Sequence, residues 1–198
     1  MTIHDELVLA LTNPDEKGKV PLSKIVKSSD ISVKLEELVY RPLPSAGEWK
    51  KMVPDIIVTL SPKAHPESQR KVAIELESDL KWDFAASLRQ IKDYKQFLPS
   101  RQRQKYDVIA IIPKEYERFV SRYNNEGIVV WLWEATAEWI CELCGHTAII
   151  KMERAKILRK CEHEKCSFSG HHLKRLVSVS FEPTQDESLV VYIPNTLS

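Results

Sequence analysis

Two carboxylates lie in the stretch KVAIELES, which otherwise has the pattern of a buried strand. Val72, Ile74 and Leu76 share one face, and Glu75 and Glu77 share the other, because side chains two positions apart leave a strand on the same side. Such a pair repels itself unless a cation binds or one acid stays protonated. Mg²⁺ or Mn²⁺ would fit, since both prefer oxygen ligands. A solvated strand face is the simpler alternative.

A third acid, Asp55, stands at the start of the preceding run, IIVTL, which is rich in β-branched residues and predicts a strand. The segment SPKAHPES between the two runs has the composition of a turn. A hairpin formed by these strands would bring Asp55 within a few ångströms of Glu75. The sequence therefore predicts a cluster of two or three carboxylates at one edge of a sheet.

The order of these residues resembles a known nuclease pattern. Pro54 and Asp55 are followed twenty residues later by Glu75 on an apolar strand, and the next predicted helix contains Gln90 and Tyr94 in LRQIKDY. The first two elements resemble the PD-(D/E)xK nuclease superfamily, and the helical pair looks like the QxxxY motif of its RecB-like branch. The resemblance covers roughly residues 35 to 133.

The resemblance implies a deoxyribonuclease dependent on Mg²⁺ or Mn²⁺, built on a restriction-endonuclease-like core. Asp55 and Glu75 would bind the metal with help from the backbone carbonyl of Leu76. The metal would lower the pKa of a bound water and neutralise charge on the phosphate under attack. Gln90 and Tyr94, one helical turn apart, would orient the nucleic-acid strand or that water.

The sequence departs from the family pattern at Glu77, where a lysine is usual. Three interpretations remain open. Glu77 is an additional metal ligand; or Lys81, which is better placed than Lys92, supplies the cation; or the site is inactivated and the chain is a non-catalytic DNA-binding or regulatory protein. An upstream helical acid often completes such sites, and Glu36 fits this role slightly better than Glu37.

Four cysteines form two pairs, in CELCG and CEHEKC. They are Cys141, Cys144, Cys161 and Cys166. This spacing predicts a tetrahedral, structural Zn²⁺ site in a zinc-ribbon-like module, with Gly145 allowing the tight turn. A nearby histidine could replace a cysteine; the candidates are His146, His163, His171 and His172. RecB-like nucleases with an iron–sulfur cluster usually place one cysteine before the nuclease motifs, whereas all four follow them here, which favours zinc.

Basic residues and tryptophans accompany the cysteines. The basic residues are Lys151, Arg154, Lys156, Arg159, Lys160, Lys165, Lys174 and Arg175. They could bind phosphates, or they could pair with neighbouring acids, namely Glu142, Glu153, Glu162 and Glu164. Trp131, Trp133 and Trp139 could stack on bases, but we expect at least two of them to pack the junction between the sheet and the cysteine module. A third hypothesis is a protein-interaction module in which zinc only stabilises this tail.

Composition bounds these hypotheses. The 198 residues are 43% apolar, enough for a sizeable core, and 29 basic residues against 28 acidic ones give no global signature of a nucleic-acid binder. No run of about 18 apolar residues and no export signal is present, which predicts a cytoplasmic protein without a membrane partner. DNA is the expected partner, with RNA and a homodimer that cuts both strands left open.

The elements predicted along the chain give an α/β (α+β) fold. Three short helices are expected in residues 1–40, in HDELVLALTN, PLSKIVKSS and SVKLEELVY, either as a helix-turn-helix or packed on the sheet. Residues 41–135 predict a nuclease-like core with a mixed central sheet flanked by helices, the first of them ending at Pro99 and the second in KEYERFVSRY, before a turn at NNEG. Residues 136–198 are expected to form the zinc module with two terminal β-like runs, RLVSVSF and SLVVYI.

Overall fold

The computed structural model describes residues 2–25, 31–38, 54–64, 69–79, 82–102, 106–154, 160–167 and 170–184. Its seven strands are β1 Ile31–Leu38, β2 Ile56–Pro62, β3 Arg70–Leu76, β4 Tyr106–Pro113, β5 Val129–Cys141, β6 Thr147–Lys151 and β7 His171–Pro183. The α-helices are α1 Ile3–Thr12, α2 Phe84–Gln102 and α3 Val120–Asn124, and two 3₁₀ helices span Pro21–Ile25 and Lys114–Phe119. The described residues therefore form an α+β fold with a mixed sheet, as predicted.

The strands lie in the order β1-β2-β3-β4-β5-β6, and β7 pairs with β5. The pairs β1–β2 and β2–β3 are antiparallel, whereas β3–β4 and β4–β5 are parallel. A parallel pair needs a crossover, which α2 supplies between β3 and β4, and the second 3₁₀ helix with α3 supplies between β4 and β5. Both β6 and β7 pair antiparallel with β5.

Each face of the sheet packs against a different set of helices. On one face, Leu7 and Leu11 of α1 form a buried cluster with Val72, Ile74 and Leu76 of β3. On the other face, a second buried cluster contains Ala73 with residues of α2 and α3, namely Ile91, Tyr94 and Tyr123. Alternation along β3 therefore places Glu75 on the side of α2.

The predicted N-terminal helices are only partly correct. The first is α1, which begins with a capping box between Thr2 and Asp5. The second is the 3₁₀ helix Pro21–Ile25, followed by residues outside the description. The third is wrong, because residues 31–38 form β1 and pair with β2. The three-helix arrangement is therefore not formed, and α1 packs on the sheet instead.

Two further helix predictions need correction. Pro99 does not end α2, which continues to Gln102. The segment KEYERFVSRY is divided between the 3₁₀ helix Lys114–Phe119 and the short α3. The turn predicted at NNEG is confirmed, and Gly127 adopts the positive φ of 65° that glycine tolerates best.

The expected boundary at residue 135 falls inside β5, which runs without interruption from Val129 to Cys141. β7 follows β5 from Trp131, opposite Pro183, to Cys141, opposite His171, with two register shifts between them. RLVSVSF is part of β7, whereas SLVVYI lies outside the described residues. No helix in the described part of the chain is both long enough and apolar enough to cross a membrane.

Candidate metal sites at the carboxylate hairpin and the cysteine cluster

Asp55 and Glu75 lie next to each other at one end of the β2–β3 hairpin. Ile56 of β2 is opposite Ile74 of β3, so Asp55 reaches the end of β3. The Leu76 amide donates a hydrogen bond of 2.7 Å to Oδ2 of Asp55. The predicted proximity of the two acids is therefore confirmed.

Residues of α2 hold both oxygens of the Glu75 carboxylate. Gln90 Nε2 donates to Oε1 at 2.6 Å, and the Tyr94 hydroxyl donates to Oε2 at 3.0 Å. Gln90 Nε2 also lies 2.8 Å from the Tyr94 hydroxyl, which accepts a hydrogen bond from it. One turn of helix separates the two residues, and this spacing places both on the face that meets β3.

Glu75 is 8% exposed, and its environment favours the protonated form. Burial raises the pKa of Glu75 well above its ordinary value, and the negative charge of Asp55 raises it further, while the hydrogen bond from Tyr94 acts in the opposite direction. Burial and the charge of Glu75 also raise the pKa of Tyr94, which therefore remains a hydrogen-bond donor at neutral pH. The acids repel each other as the sequence predicted.

Glu77 lies directly after β3 and continues its pairing. The Glu77 amide donates to the carbonyl of Ile111 at 2.8 Å, and the Glu77 carbonyl accepts a hydrogen bond of 2.7 Å from Nε1 of Trp133. Burial raises the pKa of the Glu77 carboxyl, Ser87 opposes this rise, and Asp55 adds to it. Glu77 thus belongs to the same electrostatic cluster as Asp55.

His4 is a member of this cluster that the sequence reasoning missed. Its Nε2 lies 3.1 Å from Oδ1 of Asp55. The hydrogen bond to Asp55 raises the pKa of His4, and burial acts against this effect. The contact depends on how α1 packs across the sheet, and the sequence around His4 carries no motif that would reveal it.

The structure bears in different ways on the remaining predicted site residues. Glu36 and Glu37 lie in β1 and not in a helix, so the helical placement expected for them is wrong. Lys81 lies outside the described residues. Lys92 forms an ion pair with Glu126, with Nζ and Oε1 3.0 Å apart. This ion pair does not involve Asp55, Glu75 or Glu77.

The four cysteines converge more closely than the carboxylates. Their sulfur atoms all lie within 4.8 Å of one another, and within the described ranges no other group of three or more cysteine, histidine or acidic ligand atoms does so. Asp55, Glu75 and Glu77 are thus neighbours whose oxygens do not meet at one point. The cysteine cluster could hold a metal ion.

Two tight turns present the cysteines. Cys141 ends β5, its amide donates to the carbonyl of His146 at 2.9 Å, and the amide of Gly145 donates to the carbonyl of Cys141 at 3.0 Å. Gly145 has φ of 71°, as expected for the residue that closes this turn. In the second turn, the Cys166 amide donates to the carbonyl of His163 at 2.8 Å.

Two of the sulfur separations are close to the edge expected around a tetrahedral ion. Cys141 and Cys166 are 3.9 Å apart, and Cys144 and Cys161 are 3.6 Å apart. A Zn–S bond of about 2.3 Å gives a tetrahedral edge of about 3.8 Å. Backbone amides of Cys144 and Leu143 lower the pKa of Cys141 to about 6. The Cys161 thiol differs: the His163 amide acts to lower its pKa, but burial and the neighbouring thiols together raise it to about 12.

Several basic residues of this region are paired with acids. Lys151 contacts Glu134 at 3.0 Å and Glu153 at 3.1 Å. Lys174 and Arg175 both contact Glu138, at 3.0 and 2.7 Å. Of the acids that the sequence suggested as partners, Glu153 pairs with a basic residue. Glu134 and Glu138 of β5 also pair with basic residues, and the sequence did not suggest them. Lys156 and Arg159 lie outside the described residues, and Lys160 and Lys165 are exposed.

The tryptophans pack the interior. Trp131 and Trp133 are 0% and 1% exposed, and Trp139 packs partly buried against the same cluster. At least two of the tryptophans are therefore packed, as predicted, but they lie in the core cluster of the sheet. Stacking of Trp131 or Trp133 on bases is wrong for this structure, because neither ring reaches the surface.

No protein-family model matches this sequence, and no curated protein is significantly similar to it. The resemblance to the PD-(D/E)xK nucleases therefore rests on the residues named above.

Proposed function

We propose that the protein is a metal-dependent nuclease that hydrolyses phosphodiester bonds of DNA. The observation that supports this most is the hydrogen-bonded group of Glu75, Gln90 and Tyr94 beside Asp55. This group brings together the acids of the hairpin and the Gln–Tyr pair of α2. The resemblance assigns all four residues to one active site. A restriction-endonuclease-like core is part of the proposal, supported by the order of the strands and α2.

Asp55 and Glu75 would hold Mg²⁺ or Mn²⁺ with the carbonyl of Leu76. The fit is supported by the raised pKa of Glu75, because a cation would relieve the repulsion from Asp55 that contributes to it. The ion would lower the pKa of a coordinated water and offset phosphate charge. Gln90 and Tyr94 would fix the direction of the Glu75 carboxylate, and exposed Gln90 would face the nucleic acid.

The test is cleavage of labelled linear, single-stranded, circular and branched DNA in Mg²⁺ or Mn²⁺. We expect Glu75→Gln to lose at least about 100-fold in rate, because a metal ligand provides several kcal/mol of charge stabilisation in the transition state. Glu16→Gln, in the exposed turn after α1, is the matched control and should cut normally. Equal cutting by Glu75→Gln and the wild type would refute the assignment of this site.

A non-catalytic DNA-binding protein is the second candidate. Glu77 stands where the family usually has a lysine, and both oxygens of Glu75 are occupied by α2 side chains. If the wild type binds DNA but cuts none of the substrates with either metal, this candidate replaces the nuclease.

We further propose that the cysteine cluster binds one structural Zn²⁺ ion. A four-thiolate tetrahedral set with closed coordination is typical of such sites. Metal analysis of the purified protein should give one zinc per chain, and Cys144→Ser should reduce it. His163→Gln is the control that separates a cysteine-only site from one with a histidine ligand, and we expect it to retain zinc. Iron in place of zinc would contradict the proposal.

A further inference from the structure

A surface beside α2 and α3 combines exposed arginines with stacked aromatic rings. The rings of Phe84 and Phe119 are stacked, with centroids 4.8 Å apart and an interplanar angle of 14°. The Arg118 guanidinium lies 5.0 Å from the centroid of Phe119. The Arg122 guanidinium lies 5.4 Å from Phe84 and 5.6 Å from Phe119. We name these four residues the Phe–Arg surface.

Among the described residues, the arginines of this surface differ from Arg70 and Arg175 in having no carboxylate partner. Arg70 is bound by Asp107, and Arg175 is bound by Glu138. Neither Arg118 nor Arg122 has a carboxylate partner among the side chains that the structure describes. Both are exposed. Their charge is therefore available to an anion, and ring contact holds the planar guanidinium groups in place.

A cleft extends this surface along α2. It has a volume of about 370 Å³ and is lined by Phe84, Ala85, Leu88, Arg89, Lys92 and Asp93. Arg89 is exposed and, like the two arginines above, has no carboxylate partner among the described side chains, whereas Lys92 is paired with Glu126. The cleft thus offers an apolar floor with a cation at its rim and a single acid, Asp93, in its lining.

Aromatic contacts connect this surface to the candidate carboxylate site. Trp82 packs edge-on against Phe84 at 5.8 Å and against Phe119 at 5.5 Å. Trp82 also belongs to the same buried cluster as Tyr94, whose hydroxyl donates to Glu75. One buried cluster therefore lies between the Phe–Arg surface and the carboxylates.

We infer that the Phe–Arg surface binds a strand of DNA next to the carboxylates, with phosphates on Arg118 and Arg122 and a base against the apolar floor near Phe84. Single-strand binding surfaces combine cations that follow the backbone with rings that accept bases of any sequence. An acidic protein partner would match the arginines but not the apolar cleft. The inference rests on the proposed function in its choice of DNA as the ligand.

The test measures anisotropy of a labelled single strand of about 16 nucleotides, the upper end of common site sizes, with the zinc-loaded full chain and no other divalent ion. The variant Arg118→Gln/Arg122→Gln removes two phosphate contacts. Each contact contributes about 0.7 to the slope of log affinity against log salt for a single strand, so affinity should fall about 25-fold at about 0.1 M salt and the slope by about 1.4.

Two controls separate a local effect from a general loss of charge. Lys17→Gln/Lys19→Gln removes the same charge from the exposed turn after α1, a helix that packs on the opposite face of the sheet, and should bind like the wild type. Arg118→Lys/Arg122→Lys keeps the charge and should retain the salt slope. Circular dichroism verifies that each variant is folded.

The outcomes distinguish this inference from the proposed nuclease. Unchanged affinity and salt slope in the double glutamine variant would overturn the inference, even if the wild type cuts DNA. Weakened binding in that variant, with no cutting by the wild type, would support the inference and remove the nuclease. No binding by the wild type at low salt would overturn the inference, because the surface would then have no DNA ligand.

Discussion

Replacing Glu75 by glutamine should change how stability depends on pH. The raised pKa means that the folded state holds a proton on Glu75 above pH 4.5, where the unfolded chain releases it. Stability from this proton is complete below the unfolded pKa, and it is lost as pH rises towards the folded pKa. Glu75→Gln has no such proton. The variant should therefore become more stable relative to the wild type as pH increases through this window.

The folded and unfolded states of the wild type differ by at most one proton bound at Glu75. This difference limits the size of the effect. One proton corresponds to a slope of at most about 1.36 kcal/mol per pH unit in the free energy of unfolding. The groups that face or act on Glu75 are Asp55, Glu77, Gln90 and Tyr94, and all of them remain in the variant. The free energy of unfolding of the variant, minus that of the wild type, should rise from pH 4.5 with at most this slope. It should become constant above the folded pKa of Glu75.

Urea unfolding of both proteins in the same buffer, at a series of pH values, measures this difference. Glu16→Gln, which changes an exposed acid, should give a constant difference from the wild type across the series. Mg²⁺ at neutral pH should stabilise the wild type and not Glu75→Gln if the ion binds between the two acids. A flat difference, or one that favours the wild type as pH increases, would refute the electrostatic reasoning.

Three further changes test other parts of the structure. Tyr94→Phe removes the hydroxyl that donates to Glu75, and it should cost about 1.5–3 kcal/mol at a pH where Glu75 is ionised, measured by urea unfolding. Leu11→Ala leaves a cavity at a fully buried position between α1 and the sheet, and calorimetry should show a loss of about 2–5 kcal/mol in the free energy of unfolding. Leu9→Ala, at an exposed position of the same helix, is the control and should change this free energy little. A zinc chelator should lower the melting temperature of the wild type, because metal binding contributes folding free energy. It should lower the melting temperature of Cys161→Ser by less, because this variant lacks one of the four thiols.

The sequence predicted the core strands and the neighbourhood of Asp55 and Glu75 because both follow local rules. Alternation fixes the faces of β3, and the pairing of Ile56 with Ile74 places Asp55 beside Glu75. The helical spacing of Gln90 and Tyr94 then brings both to the same acid. These relations require only strand and helix periodicity, which the sequence contains.

The errors arose where tertiary pairing decides the structure. Residues 31–38 contain good helix formers, but Ile31, Val33 and Leu35 also have period two, and pairing with β2 favours the strand. The contact between His4 and Asp55 depends on the docking of α1, which no local pattern encodes. Glu138 as the partner of Lys174 and Arg175 depends on the pairing of β5 with β7.

The uninterrupted β5 has a consequence for local opening of the structure. Trp133, which holds the Glu77 carbonyl, and Cys141, which begins the cysteine cluster, are eight residues apart on this strand, or about 27 Å. β7 pairs with it over the whole distance, with register shifts after Thr136 and Glu138, so amide hydrogens from both ends belong to one strand pair. Hydrogen exchange should therefore show one cooperative unit in β5, and loss of metal at Cys141 should reduce amide protection as far as Trp133.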